Sequence, residues 1–123
     1  MASVELTAEN FDETITDNEI VIVDFWADWC GPCKMFAPTF EAASDKDPEI
    51  VFGKVDTEAQ QSLAAAAGIQ SIPTLMVFRE RVLLFSQAGA LPPAALDDLI
   101  TQVKALDMTA VHAEIAKQQT ASE

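Results

Sequence analysis

Two cysteines, Cys30 and Cys33, are the only thiols in the 123-residue sequence, and two residues separate them. Residues three apart on a helix are neighbours, so this spacing allows a disulfide. The loop it closes is very short. Its entropic stabilisation is therefore small, and the bond is suited to opening and closing. A structural zinc site needs four ligands, usually Cys or His, and the one histidine, His112, lies far along the chain. No metal site is expected. A secreted disulfide framework would need more cysteines, spread more widely. The pair is either redox-active or a chemically silent pair of core cysteines. Trp29 in front and Gly31-Pro32 between make an exposed turn, which favours redox chemistry.

The flanking sequence suits that chemistry. Ile20 to Ala27 is a β-branched and aromatic run, apolar on both faces, as a central strand covered on both sides should be. It runs into a helix that starts at the cysteines and reaches about Ser44, with Pro38 inside it. Cys30 then falls near the N-cap and Pro32 near the first helical position, where its missing N–H costs nothing. An N-cap side chain faces the free N–H groups of the second and third helical residues, here Cys33 and Lys34. The helix dipole adds partial positive charge. Both favour a thiolate, so Cys30 is expected to be exposed with a lowered pKa. Cys33, one turn inside, is expected to be shielded with a higher one.

The remaining elements follow from periodicity and punctuation. Thr7 reads as an N-cap, opening a helix from Ala8 to about Thr16 that Asp17-Asn18 ends. Ile50 to Val55 reads as a strand. Thr57-Glu58-Ala59-Gln60 has the form of a capping box that opens a helix stopped by Gly68. Thr74 to Phe78 and Val82 to Gln87 read as a hairpin. The Phe78-Arg79-Glu80-Arg81-Val82 stretch between them lacks Gly and Asn, so a turn longer or less regular than a two-residue type I′ turn is expected. Pro92 or Pro93 starts a last long helix to about Leu106. Alternation followed by a hairpin implies an α/β fold, a mixed β-sheet with helices on both faces. The division expected is a domain over residues 1–106 and an extension over 107–123. In the extension, Met108, Val111 and Ile115 are out of phase with the preceding helix. A short or frayed helix is expected there, with Gln118 to Glu123 disordered.

Twenty acids against seven Lys and Arg give a formal charge of −13. Such a chain repels phosphate backbones, so nucleic acid is not an expected partner. No apolar run approaches the roughly 20 residues of a membrane span. The N-terminus shows no basic or signal-like stretch, and a cytoplasmic protein is expected. Asp24 is the odd residue in its strand. Read alone it is a partly exposed strand-end acid; if buried, its pKa must rise. His112 reads as a surface residue without a partner close in sequence.

The segment Asp24-Phe25-Trp26-Ala27-Asp28-Trp29-Cys30-Gly31-Pro32-Cys33-Lys34 resembles the active-site stretch of bacterial thioredoxins. Phe36-Ala37-Pro38, Lys54-Val55-Asp56, Ser71-Ile72-Pro73-Thr74 and Ala88-Gly89-Ala90-Leu91 resemble further blocks of the family, in the same order from about Leu6 to Leu106. The resemblance implies a thioredoxin fold and protein disulfide reduction, with Cys30 attacking and Cys33 resolving. It places Asp24 beneath Cys33 as a proton handler, with Lys54 nearby. It implies a cis bond before Pro73 that brings Ile72 beside the disulfide, and a substrate surface of Trp29, Gly31, Pro32, Ile72, Pro73, Gly89 and Ala90. The implied partners are disulfide-containing proteins and an NADPH-dependent flavoprotein, thioredoxin reductase. The chain itself is expected to act as a monomer and bind no cofactor. Two other functions suit the same fold, a thiol oxidase or isomerase and a non-enzymatic binding subunit. Gly-Pro between the cysteines, without a His, favours the reducing end.

Overall fold

The computed structural model describes residues 2–121. Its elements are β1 (Val4–Glu5), α1 (Phe11–Asp17), β2 (Ile20–Trp26), α2 (Gly31–Lys46), β3 (Val51–Asp56), α3 (Gln61–Ala66), β4 (Thr74–Arg79), β5 (Val82–Ala88), α4 (Pro93–Ala105) and α5 (Met108–Ala121). The five strands form one mixed sheet in the order β1-β3-β2-β4-β5. β1, β3 and β2 run parallel, and β4 and β5 are antiparallel to their neighbours.

β2 lies at the centre, and alternation along it divides the core in two. Ile20 and Ile22 pack with Phe36 and Phe40 of α2, Phe52, Leu75 and Val77, and Leu96 and Ile100 of α4. Val21, Val23 and Phe25 pack on the other side with Phe11, Ile15, Val55 and Met76, and Leu63 of α3 joins them. Helices therefore cover both faces, as expected. By the same alternation Asp24 falls on the side of Ile20 and Ile22, under α2.

Several local readings are corrected. β1 is only two residues long, too short to show a period; it pairs with Gly53 and Lys54. Leu6 follows it and sits so close to Gly53 that any side chain there would collide with it. Helix α1 is capped at Asn10 rather than Thr7. The Asn10 side chain instead accepts from the Thr7 N–H at 2.7 Å, closing a turn before the helix. The expected capping box does not form either. Asp56 Oδ1 accepts from the N–H groups of Glu58 and Ala59, at 2.9 and 3.3 Å, and α3 begins after Gln60. Gly68 ends α3 as expected, at φ 72°.

The hairpin differs most. Arg79 pairs with Val82 across only two residues, and Glu80 and Arg81 both have positive φ, 50° and 69°. This is the backbone signature of the two-residue turn that the sequence argued against. Tertiary contacts overrule the local preference. The Glu80 N–H donates to the Glu19 carbonyl at 2.8 Å, and Glu80 Oε1 lies 2.9 Å from His112 Nε2 of α5. Next door, the Arg79 guanidinium pairs with Glu19 at 3.0 Å and donates to the Val103 and Leu106 carbonyls at 2.7 and 3.1 Å. A register shift between Val77 and Phe78 adds a bulge, which increases the local twist that such a turn requires.

The same cluster corrects the reading of the C-terminus. α5 spans 14 residues. Met108 is buried and Val111 and Ile115 are half-buried. His112 has an acidic partner after all, 32 residues away in sequence. Gln118–Ala121 is helical rather than disordered, and residues 122–123 lie outside the described residues.

A non-glycine residue held at positive φ carries about 1–2 kcal/mol of backbone cost. Arg81→Gly should relieve it, less the extra freedom glycine gives the unfolded chain. The expected gain is up to about 1 kcal/mol, read as a higher urea midpoint at constant slope. Glu80→Gly should gain less, because it also removes the partner of His112.

Candidate active site

Cys30 occupies the N-cap of α2, with φ −90° and ψ 109°, and Pro32 stands in the first turn. The chain leaves β2 extended and must turn to start the helix, which puts the first cysteine at the junction. Cys30 and Cys33 form a disulfide, with Cα atoms 5.2 Å apart. The Cys30 sulfur accepts from the Cys33 N–H at 3.2 Å. That is the capping contact expected of an N-cap side chain, made by sulfur instead of oxygen.

The expected contrast in exposure between the two cysteines is absent in this disulfide form. Cys30 is 4% exposed and Cys33 3%. The Cys30 sulfur is tied to Cys33 and lies 3.7 Å from the Ile72 carbonyl oxygen. The residues around it are open instead. Trp29, Gly31 and Pro32 are exposed, so a partner meets backbone, indole and pyrrolidine ring before it meets sulfur.

The Ile72-Pro73 peptide bond is cis. Pro73 is buried and Ile72 half-buried, which leaves the Ile72 carbonyl beside the disulfide. From the other side, the Gly89 N–H donates to the Pro73 carbonyl at 2.8 Å. Gly89 has φ 108°, a conformation side chains resist, and it and Ala90 are exposed. These two loops and the Trp29–Pro32 turn converge at one end of the sheet.

Asp24 is 1% exposed, and neither carboxylate oxygen has a hydrogen-bond partner among the described residues. This rules out the partly exposed strand-end acid. Burial pushes its pKa up to about 7, opposed by attraction to Lys54. Lys54 is the register partner of Asp24 on β3. Its ammonium sits 4.9 Å from the centre of the Trp26 ring, a cation–π contact that fixes the charge beside the acid.

Sequence reasoning missed Glu58. Its Oε1 accepts from the Trp29 indole N–H at 2.6 Å, orienting an otherwise free ring. The two residues are 29 apart in the chain, and no local pattern links them. A cleft of about 570 Å³ opens beside this ring, walled by Thr57, Gln61, Ala64, Ile69 and Ile72. The α3 wall of the site is likewise visible only once the chain is folded.

A sulfur pair at a helix N-terminus, with a buried acid on the side covered by that helix and open backbone loops around it, is equipped for dithiol–disulfide exchange. The thioredoxin family model matches residues 2–102. The chain belongs to the thioredoxin family. A protein described as putative thioredoxin 2 from Streptomyces coelicolor is 61% identical over 118 residues, 96% of this chain and 88% of its own. That stretch necessarily runs into α5, so this relative shares the extension beyond the family model. Thioredoxin C-3 from Corynebacterium nephridii is 40% identical, over 80% of this chain and 69% of its own. Among solved structures, a Plasmodium falciparum thioredoxin superposes with a TM-score of 0.74 at 38% identity, covering 80% of this chain and 96% of that one. A Malassezia sympodialis thioredoxin gives 0.73 at 36%, covering 83% and 91%. The fold is thus the thioredoxin fold, and the chain is a protein disulfide reductase. As a thioredoxin it acts on disulfide-containing substrates and is restored by a reductase partner. Among the described residues no helix is long and apolar enough to cross a membrane.

The raised pKa of Asp24 has a consequence for stability. An unfolded chain loses this proton near pH 4, whereas the folded protein keeps it until about pH 7. Between these values the folded state binds more protons, so the Asp24 contribution to stability falls as pH rises and levels off above about 7. Asp24→Asn should abolish that fall. The variant should be more stable at pH 8 by on the order of a few kcal/mol, with the gain vanishing near pH 4. Urea unfolding of both proteins across this range is the check; parallel pH profiles would show that Asp24 is not the group responsible.

Proposed function

We propose that Cys30 is the attacking thiol and Cys33 the resolving thiol of this protein disulfide reductase. The single observation that carries the assignment is the hydrogen bond from the Cys33 N–H to the Cys30 sulfur at the head of α2. In the dithiol form that N–H and the helix dipole favour the Cys30 thiolate. The thiolate attacks a substrate disulfide, forming a mixed disulfide and expelling one substrate thiolate. Cys33 then gives up its proton and attacks the Cys30 sulfur, expelling the second thiolate and leaving the disulfide described above. Two electrons pass to the substrate, and two protons end on its thiols.

Asp24 suits the role of proton acceptor for Cys33. It lies on the α2 side of β2, and its pKa near neutrality fits general acid–base work at physiological pH. Lys54 keeps a positive charge beside it. Trp29, Gly31, Pro32, Ile72, Pro73, Gly89 and Ala90 form the substrate surface, where the Ile72 backbone can pair with an extended polypeptide. The reductase partner is read as an NADPH-dependent flavoprotein, the partner that membership of the thioredoxin family implies. On this reading the protein works in the cytoplasm, and as a monomer because its high negative charge makes copies repel one another.

The thiol assignment predicts distinct chemistry for the two cysteines. Iodoacetamide should alkylate the reduced protein at Cys30 first, as peptide mapping would show. Cys33→Ser should accumulate mixed disulfides through Cys30, while Cys30→Ser traps few. Preferential labelling of Cys33, or equal trapping by both variants, would reverse the roles.

Residues 1–106 are proposed to carry the activity, with 107–123 supporting the fold. Truncation after Leu106 should leave disulfide reduction within about threefold, while burial lost at Met108, Val111 and Ile115 lowers stability by about 1–3 kcal/mol. A larger loss of activity in a folded truncation, read by circular dichroism beside turnover, would place the extension in partner binding.

A further inference from the structure

The two most exposed large apolar side chains among the described residues both flank the disulfide. Trp29 is 69% exposed and Met35 78%, whereas the next such side chains lie between 40% and 48%. Trp29 is held by Glu58 and belongs to the substrate surface proposed above. Nothing described so far uses Met35.

Met35 stands on α2 four residues after Gly31, so the two share a face of the helix. Helical side chains lean toward the N-terminus of their helix. Met35 is thus the exposed side chain one turn along that face from Gly31. Gly31 offers nothing to cover it, and a Cβ there would meet no atom within 4 Å. Trp29 and Met35 thus stand on either side of the two cysteines in the chain, with the exposed Gly31 and Pro32 between them.

We propose that Met35 is a partner-contact residue that seats the polypeptide whose disulfide Cys30 attacks. The inference rests on the reading of Cys30 as the attacking thiol. The occupant follows from continuity: Gly31 and Pro32 belong to the substrate surface proposed above, and Met35 is the next exposed apolar side chain along α2. The residue type fits the task. An unbranched, polarisable thioether adapts to surfaces of different shape, which suits contact with a polypeptide partner. The partners favoured are those with an apolar side chain flanking the reactive cysteine.

The test is reduction of insulin disulfides with dithiothreitol as electron donor, comparing the parent with Met35→Gln and Met35→Leu. Met35→Gln should raise KM for insulin about five- to tenfold with kcat within about twofold, and Met35→Leu should keep both within about twofold. Hydrogen peroxide offers a second route. It transfers one oxygen atom to the Met35 sulfur, giving the sulfoxide and water, while Cys30 and Cys33 are protected as the disulfide. After the dithiol is restored, the oxidised parent should show the KM of Met35→Gln. Treated Met35→Leu should behave as untreated. A Met35→Gln variant with the parental KM, or one that loses kcat alone, overturns the contact role. A concentration-dependent dimer that Met35→Gln dissolves assigns the patch to a second copy and also overturns it. A parent protein unable to reduce insulin contradicts the reductase reading itself, a result distinct from either.

Discussion

A strand buried on both faces has no water-facing side, so each element around it is fixed by what it must cover. Ile20–Trp26 is such a strand, and its apolar residues feed two separate cores, one under α2 and α4 and the other under α1 and α3. Asp24 interrupts this pattern. A carboxyl without a hydrogen-bond partner in that position costs free energy, and the protein limits the cost by holding the proton to higher pH and by setting Lys54 on the adjacent strand. The central strand thus both organises the fold and carries a titratable group into the layer covered by α2. Where β2 ends, the turn into α2 places sulfur where a helix ordinarily takes a hydroxyl or carboxylate oxygen. The chemistry of the site comes from that join.

The catalytic end of the molecule was largely legible in the sequence because its determinants are local. The Cys30 N-cap, Pro32 in the first turn and the helix start after β2 all lie within a few residues of one another. The position of Asp24 was not local. Its residue type announced a conflict, but whether it was buried depended on α2 packing over it, which only the resemblance indicated. Glu58 gave no signal at all, since its contact with Trp29 is made by folding α3 against the active-site turn. The exposure of Cys30 was misjudged for a related reason. Helix position sets the direction of a side chain, but Ile72, 42 residues away in sequence, determines what lies beside the sulfur.

The opposite end of the sheet was poorly legible, and in each case a long-range bond replaced the local rule. Glu80 and Arg81 adopt positive φ against their preference because Glu19, Arg79 and His112 hold the turn. α5 was expected to be short or frayed because its apolar positions are out of phase with those of α4. It is anchored by Met108 and by a histidine–glutamate contact that no helical periodicity could reveal.

β4 connects these two ends. It begins at Thr74, immediately after the cis bond beside the disulfide, and finishes at Arg79, which gathers the ends of α4, β2 and the entry to α5. Six residues of strand span roughly 20 Å, so the contacts beside the disulfide and those that secure the C-terminal helix share no side chain. A change in the hairpin or the terminal helix can therefore reach the disulfide only through the backbone of β4, which insulates the reactive end from local damage at the other.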